Sequence, residues 1–271
     1  ELECREYLSA IQFFKKAEYK LDFVKDCIEK AEFYFKMSES YYYMKQTYFS
    51  MDYARQAYKI YHKQEAYNIR VLQCHSLFAT NFLDLKQYDE AIQHFKKAYA
   101  MAEAEQQPQL MGRTLYNIGL CFNSQENYKP AIDYIKRAIA VFEDGNIITS
   151  LPQAYFLITQ IHYKIGNTAI ARQYHDKGVS YAEESEDSLY IVEYEFLESL
   201  YVGEPDEEAI MECFDFLRDK LMYADLEDFA LDVAKYYHER ENFEKASAYF
   251  LKVEETRQQI QGGVKLYEIE V

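Results

Sequence analysis

The side chains that could support catalysis are scattered along this 271-residue sequence and form no recognised catalytic pattern. No HExxH pair, no GxSxG motif and no glycine-rich phosphate loop is present. His75 and His162 fall at helical packing positions, which favours a structural role for both. Five widely spaced cysteines without a CxxC pair indicate neither a disulfide framework nor a zinc site. The sequence therefore predicts no catalytic residues, no metal and no cofactor.

Amide and carboxylate side chains recur at helical spacing, and they suit a different chemistry. An Asn or Gln side chain both donates and accepts, so it can pair with the N–H and C=O groups of an extended peptide. Carboxylates could pair with a basic ligand residue, and Arg would do so with bidentate geometry. The predicted peptide-binding residues are Asn117, Asp84, Gln153, Gln160, Tyr163, Glu193, Glu195 and Glu198. The alternative for each is a hydrated side chain without a ligand.

Composition limits the partners that this chain could have. Forty-six acidic and 30 basic residues give a formal net charge of −16, which disfavours nucleic acid because its phosphates would be repelled. The charge is compatible with a basic peptide, although it could serve solubility alone. No apolar run approaches the roughly 18 residues of a membrane span, and the first residues do not form a signal peptide. We therefore expect a cytoplasmic protein without a membrane partner.

A repeated pattern predicts the helices that hold these residues. In the copy at Tyr88, Ala91, Phe95 and Ala98, the spacing places all four side chains on one helical face. Related copies centre on Ala10, Ala54, Ala91, Ala131, Ala171, Ala209 and Ala246. A matching apolar stripe precedes the pattern on a partner helix, and turn residues separate the two helices. Each unit is thus predicted to be a helix, a short turn and a second helix.

Such units resemble the tetratricopeptide repeat, whose usual period is about 34 residues. The expected fold class is all-α, a right-handed superhelical solenoid of about six to seven helix pairs. First helices should line the inner, concave wall, and second helices should lie outside. The repeat domain is predicted to cover residues 1–261. Gly262 and Gly263 are expected to end the last helix before a tail at residues 262–271.

Two families of peptide-binding arrays can be compared with this pattern. Co-chaperone arrays that bind a C-terminal carboxylate use a set of basic and Asn side chains. In this sequence only Arg113 and Asn117 match that set. The Tyr-rich segments at residues 33–61, 88–98 and 116–122 instead resemble the Rap proteins of spore-forming Gram-positive bacteria. The chain opens on a second-helix pattern, so we expect the parent protein to continue before Glu1.

The resemblance implies a quorum-sensing receptor that binds a short secreted Phr peptide and so relieves inhibition of a response regulator, in competence or sporulation control. It implies peptide-anchoring roles for Asn117 and Asp84. It places the response-regulator contact, and the catalytic Gln of phosphatase members, on an N-terminal three-helix bundle absent from this chain, so no enzymatic activity is expected here. The alternatives are the repeat domain of a peptide-dependent transcription factor and a constitutive protein–protein scaffold.

Overall fold

The computed structural model describes residues 2–265, and this part of the chain is built from α-helices joined by short turns and 3₁₀ segments, without a β-strand. The helices are α1 (Leu2–Glu18), α2 (Cys27–Tyr43), α3 (Thr47–Tyr61), α4 (Asn68–Asp84), α5 (Tyr88–Ala104), α6 (Pro108–Ser124), α7 (Tyr128–Asp144), α8 (Leu151–Lys164), α9 (Thr168–Glu184), α10 (Ser188–Tyr201), α11 (Glu207–Asp219), α12 (Tyr223–Glu239) and α13 (Phe243–Lys265). The predicted all-α, tetratricopeptide-like class is confirmed. No helix in this range is both long and apolar enough to cross a membrane.

Helices pack mainly against their neighbours in sequence. The closest pairs are α2 with α3, α4 with α5, α6 with α7, α8 with α9, and α12 with α13. In these five pairs the even-numbered helix is the first helix of the repeat unit, and the odd-numbered helix is the second one. Contacts divide the chain into two compact units, residues 2–190 and the residues from 191 onward, with the division inside α10.

The predicted repeat register is confirmed at Ala91, Ala131, Ala171 and Ala246. Each alanine is the fourth residue of its helix, in α5, α7, α9 and α13 respectively. None of the four is more than 2% exposed. A small side chain at this position allows the preceding helix to approach closely, which is the reason for the pattern.

The register is different at Ala54 and Ala209. The fourth residues of α3 and α11 are Ser50 and Ile210, and both are fully buried. Ala54 is also buried but lies one helical turn further on, whereas Ala209 is only partly buried. Ser50 is tolerated because its hydroxyl accepts a hydrogen bond of 2.9 Å from Asn81 Nδ2. A pattern based on small apolar residues misses this position because a hydrogen-bonded serine takes the place of alanine.

Gly119 allows α6 and α7 to pack closely. A Cβ atom placed on this glycine would lie 2.5 Å from Cδ1 of Ile135 and 3.3 Å from the carbonyl oxygen of Ala131. About two turns earlier on α6, a Cβ on Gly112 would overlap the ring of Phe142. Close helix packing thus explains two glycines in a helix interior, where each costs ~1 kcal/mol relative to alanine.

Most turns between helices share one backbone geometry, the exceptions being those after α1 and α3. The second residue after the helix takes a positive φ, as in Lys45 (56°) after α2 and Lys86 (57°) after α4. In the first of these turns, the amide of Lys45 donates to the carbonyl of Tyr42, and the amide of Gln46 donates to that of Tyr41. These bonds satisfy carbonyl groups that the end of a helix would otherwise leave unpaired.

The last helix continues past Gly262 and Gly263 to Lys265, so the expected helix end at this glycine pair is wrong. Two glycines destabilise a helix by only about 2 kcal/mol. A helix that is already long can continue through them despite this cost. Residues 266–271 of the predicted tail lie outside the described residues.

Candidate functional site

A cleft of about 380 Å³ lies between α2, α4 and α6, the first helices of three consecutive pairs in the first compact unit. This volume falls in the range of small-ligand pockets. The lining side chains are Phe35, Glu39, Tyr42, Tyr43, Leu72, Gln73, Ser76, Leu77, Thr80, Leu110, Arg113, Thr114 and Asn117. They combine an apolar surface with hydroxyl, amide and charged groups, which together can orient a polar chain.

Asn117 lies in this cleft, one helical turn after Arg113 on α6. Leu115 and Ile118, each 1% exposed, anchor α6 in the core on either side of Asn117 in the sequence. Within residues 2–265, the side chains of Asn117 and Arg113 make no hydrogen bond or ion pair. Both therefore keep their hydrogen-bonding capacity for a ligand.

Asp84 lies at one end of the cleft, as the last residue of α4 and one turn beyond Thr80. Its carboxylate Oδ2 is 3.3 Å from Nζ of Lys45, which also lies 5.4 Å from the ring centre of Tyr42. Burial and, next, the charge of Asp84 raise the pKa of Tyr42 to about 12. The acid that was predicted to receive a basic ligand group is therefore paired with a lysine of the protein.

The α8 residues differ in accessibility. Gln153 is exposed, whereas Gln160 and Tyr163 are buried at 9% and 6% exposure and have contacts within the protein. None of the three lines the cleft between α2, α4 and α6. The adjacent His162 is 5% exposed and stacks on Tyr174, so its predicted packing position is confirmed.

The predicted acids of α10 belong to the second compact unit. Glu193 is 5% exposed, whereas Glu195 and Glu198 are exposed. Glu193 is the sixth residue of its helix, the position that Gln73 has in α4 and Arg113 has in α6. The repeat register therefore favours Glu193 over the other two acids as the equivalent of a cleft residue.

Sequence analysis did not identify the wall that α2 contributes. Glu39, Tyr42 and Tyr43 line the cleft, and Lys45 lies at its end. The pattern at Ala54 is centred one turn too late, and the sequence predicts no groove residues on the first helix of that unit. The Tyr41–Tyr43 run at the end of α2 is the feature that could have indicated it.

Three cysteines in the described chain are buried, whereas Cys27 is exposed. Burial raises the pKa of the thiols of Cys74, Cys121 and Cys213 to about 12, which keeps them protonated. Residues 2–265 contain no group of three or more His, Cys, Asp or Glu side chains that could hold a metal ion.

Helix pairs with a polar and apolar cleft between their first helices define a tetratricopeptide-type binding protein. The family profile described as tetratricopeptide repeat matches residues 112–144, and that of anaphase-promoting complex, cyclosome, subunit 3 matches residues 26–98. Each covers less than half of the chain.

The chain belongs to the Rap family. It is 75% identical over 271 residues to regulatory protein RapF of Bacillus subtilis (strain 168), covering 100% of this chain and 71% of that protein. It is 35% identical over 269 residues to response regulator aspartate phosphatase A of the same strain, covering 99% of this chain and 71% of the relative. The family thus includes both regulatory proteins and response regulator aspartate phosphatases.

Solved structures agree with this assignment. The crystal structure of aspartyl phosphate phosphatase F from Bacillus subtilis has a TM-score of 0.93 and 74% identity, covering 100% of this chain and 71% of that one. A Rap protein complexed with competence and sporulation factor has a TM-score of 0.85 and 36% identity, covering 97% of this chain and 73% of that one.

Proposed function

We propose that this chain is the peptide-sensing part of a Rap regulator and that a short signalling peptide of the Phr type binds in the cleft between α2, α4 and α6. The observation that carries the proposal is the pair Arg113 and Asn117, which face the cleft without a partner in the described chain. A related Rap protein, 36% identical, was solved with competence and sporulation factor.

An extended peptide in this cleft needs partners for its own backbone groups, since unpaired ones would lose hydrogen bonds to water. The side-chain amide of Asn117 both donates and accepts hydrogen bonds, so it can pair with the C=O and the N–H groups of a peptide backbone. Gln73, Ser76 and Thr80 present further polar groups along α4. Together they would bind the peptide backbone, while the apolar lining receives its side chains.

Beyond the cleft, Gln153, Gln160 and Tyr163 are proposed as further peptide contacts, together with Glu193, Glu195 and Glu198. Glu193 is preferred among the acids because of its helix position. A basic peptide residue would satisfy such a carboxylate.

Regulation would follow from unequal affinity. A peptide that binds more tightly to one arrangement of the helices shifts the population toward that arrangement. This shift would relieve inhibition of a response regulator. We propose that the response regulator is contacted through an N-terminal three-helix bundle outside this chain. The chain itself then acts in the cytoplasm as a receptor without enzymatic activity.

The test is isothermal titration of the 271-residue chain with competence and sporulation factor and with randomised pentapeptides that keep one arginine. Saturable one-to-one binding that is weakened by Asn117→Ala supports the proposal. Absence of binding by a folded chain, or binding unaffected by changes at Asn117 and Arg113, contradicts it. Incubation with a phosphorylated response regulator should leave the phosphoryl group in place.

A further inference from the structure

The ion pair at the end of the cleft joins two elements that the ligand would also contact. Asp84 is the last residue of α4, and Lys45 lies in the turn that follows α2. Their side chains are 28% and 57% exposed, and Nζ is 3.3 Å from Oδ2. Such exposed pairs contribute little, because water screens the attraction and a flexible lysine must be ordered. The pair is therefore present but easily displaced.

Tyr42 connects this pair to the cleft. Its ring lines the cleft, Nζ of Lys45 lies 5.4 Å from the ring centre, and the charge of Asp84 acts on its hydroxyl. A cationic group entering along Tyr42 thus reaches a carboxylate that already has a positive partner. A neutral group entering there has no reason to separate the two.

We propose that Lys45 is a specificity-determining residue that competes, from within the protein, with the basic group of the ligand for Asp84. Lys45 lowers the affinity for cationic peptides and leaves the affinity for neutral peptides unchanged. It therefore limits the gain in affinity that a positive charge on the peptide can give. An arginine can outcompete lysine because its planar guanidinium binds a carboxylate in bidentate fashion. This inference rests on the proposed peptide-binding function.

Lys86 provides a matched control. It has the same turn position after α4, with φ of 57° against 56° for Lys45, and it is exposed. In the described part of the chain Lys86 makes no ion pair. Replacing either lysine by glutamine removes one positive charge at the same backbone geometry, so both variants change the long-range attraction for a cationic peptide alike.

The experiment compares wild type, Lys45→Gln and Lys86→Gln by isothermal titration with one pentapeptide carrying arginine and with its citrulline analogue. We expect Lys45→Gln to bind the arginine peptide about two- to five-fold more tightly than Lys86→Gln does, the range that an exposed ion pair allows. The citrulline peptide should bind both variants equally. Circular dichroism checks that both remain folded, which is expected because each lysine is exposed.

Equal affinity of the two variants for the arginine peptide overturns the competitor role while leaving the peptide receptor intact. Weaker binding by Lys45→Gln than by Lys86→Gln also overturns it, since Lys45 would then contact the ligand favourably. If the wild type binds neither peptide and no member of the randomised series, the proposed function itself fails.

Discussion

The Nδ1 atoms of His75 and His94 lie 3.1 Å apart between α4 and α5. A neutral imidazole has one donor and one acceptor nitrogen, so this contact requires one ring to carry its proton on Nδ1 and the other to accept there. Burial, followed by His94 and Lys97, lowers the pKa of His75 to about 4, and burial also lowers that of His94. Tyr58 and Phe78 also lie against the His75 ring, so the pair is a buried polar contact in an apolar setting that disfavours a charged ring.

Acid should therefore destabilise the fold through His75. Its folded-state pKa lies below the ordinary value, so its contribution is present above about pH 6.5 and is lost as the pH falls towards about 4, where the unfolded chain binds the proton first. The expected loss at this residue is on the order of 3 kcal/mol. Urea unfolding followed by circular dichroism across this range measures it. In His75→Phe, the dependence should be shallower, and equal slopes for variant and wild type would contradict the assignment.

Adding one methyl group at Gly119 should weaken the packing of α6 on α7. Alanine gains ~1 kcal/mol of helix propensity, but its Cβ would lie 2.5 Å from Cδ1 of Ile135. We expect Gly119→Ala to lower the free energy of unfolding by about 1–3 kcal/mol, as overpacking does. Ile135→Val removes the nearer of the two clashing carbon atoms, so the double variant should be destabilised less than the sum of the two single variants. Additive effects would show that this contact does not limit the approach of the helices.

Loss of the Asn117 amide should affect binding and not folding. We expect Asn117→Ala to weaken peptide binding by about 1–3 kcal/mol, because buried peptide groups would lose a partner. The midpoint of thermal unfolding should change little, since the amide makes no hydrogen bond within residues 2–265. Gln93→Ala, which removes an exposed amide from α5, serves as the control and should bind peptide like the wild type. Equal peptide affinity of the two variants in isothermal titration would show that Asn117 does not contribute to peptide binding.

Thiol modification should separate Cys27 from the three buried cysteines of the described residues. Cys27 is exposed, whereas Cys74, Cys121 and Cys213 are buried, and burial raises the pKa of these three thiols to about 12. Because the thiolate is the reactive form, brief iodoacetamide treatment should label Cys27 well before the three buried thiols. Peptide mass spectrometry locates the label, and denaturation before treatment should make all three reactive. Early labelling of Cys121 in the native chain would contradict the packing of α6.

Helical periodicity predicts much of the fold because it depends on local spacing. The alanine pattern located second helices around Ala91, Ala131, Ala171 and Ala246, where the small residue has only to fit against one neighbouring helix. It failed at Ser50 and Ile210 because a hydrogen-bonded serine and a larger apolar side chain fill the same position there. Neither substitution can be foreseen without the partner side chains.

The cleft was harder to predict because three helices far apart in sequence form it. The spacing around Asn117 was sufficient to place its side chain on the open face of α6. It could not show that Tyr42 and Lys45 would meet Asp84, since these lie about forty residues apart along the chain. For Gln160 and Tyr163, periodicity indicated a groove position, but burial depends on the side chains of the surrounding helices.

The packing of each helix chiefly against its sequence neighbours has a kinetic consequence. When most native contacts are local, little loop-closure entropy is lost before they stabilise the chain, so folding is faster than in sheet proteins of similar size. A helical hairpin such as α6 with α7 can form early and add the adjacent helices in turn. The order of events is then free to vary from one molecule to the next, because any sufficiently stable hairpin can act as the starting point.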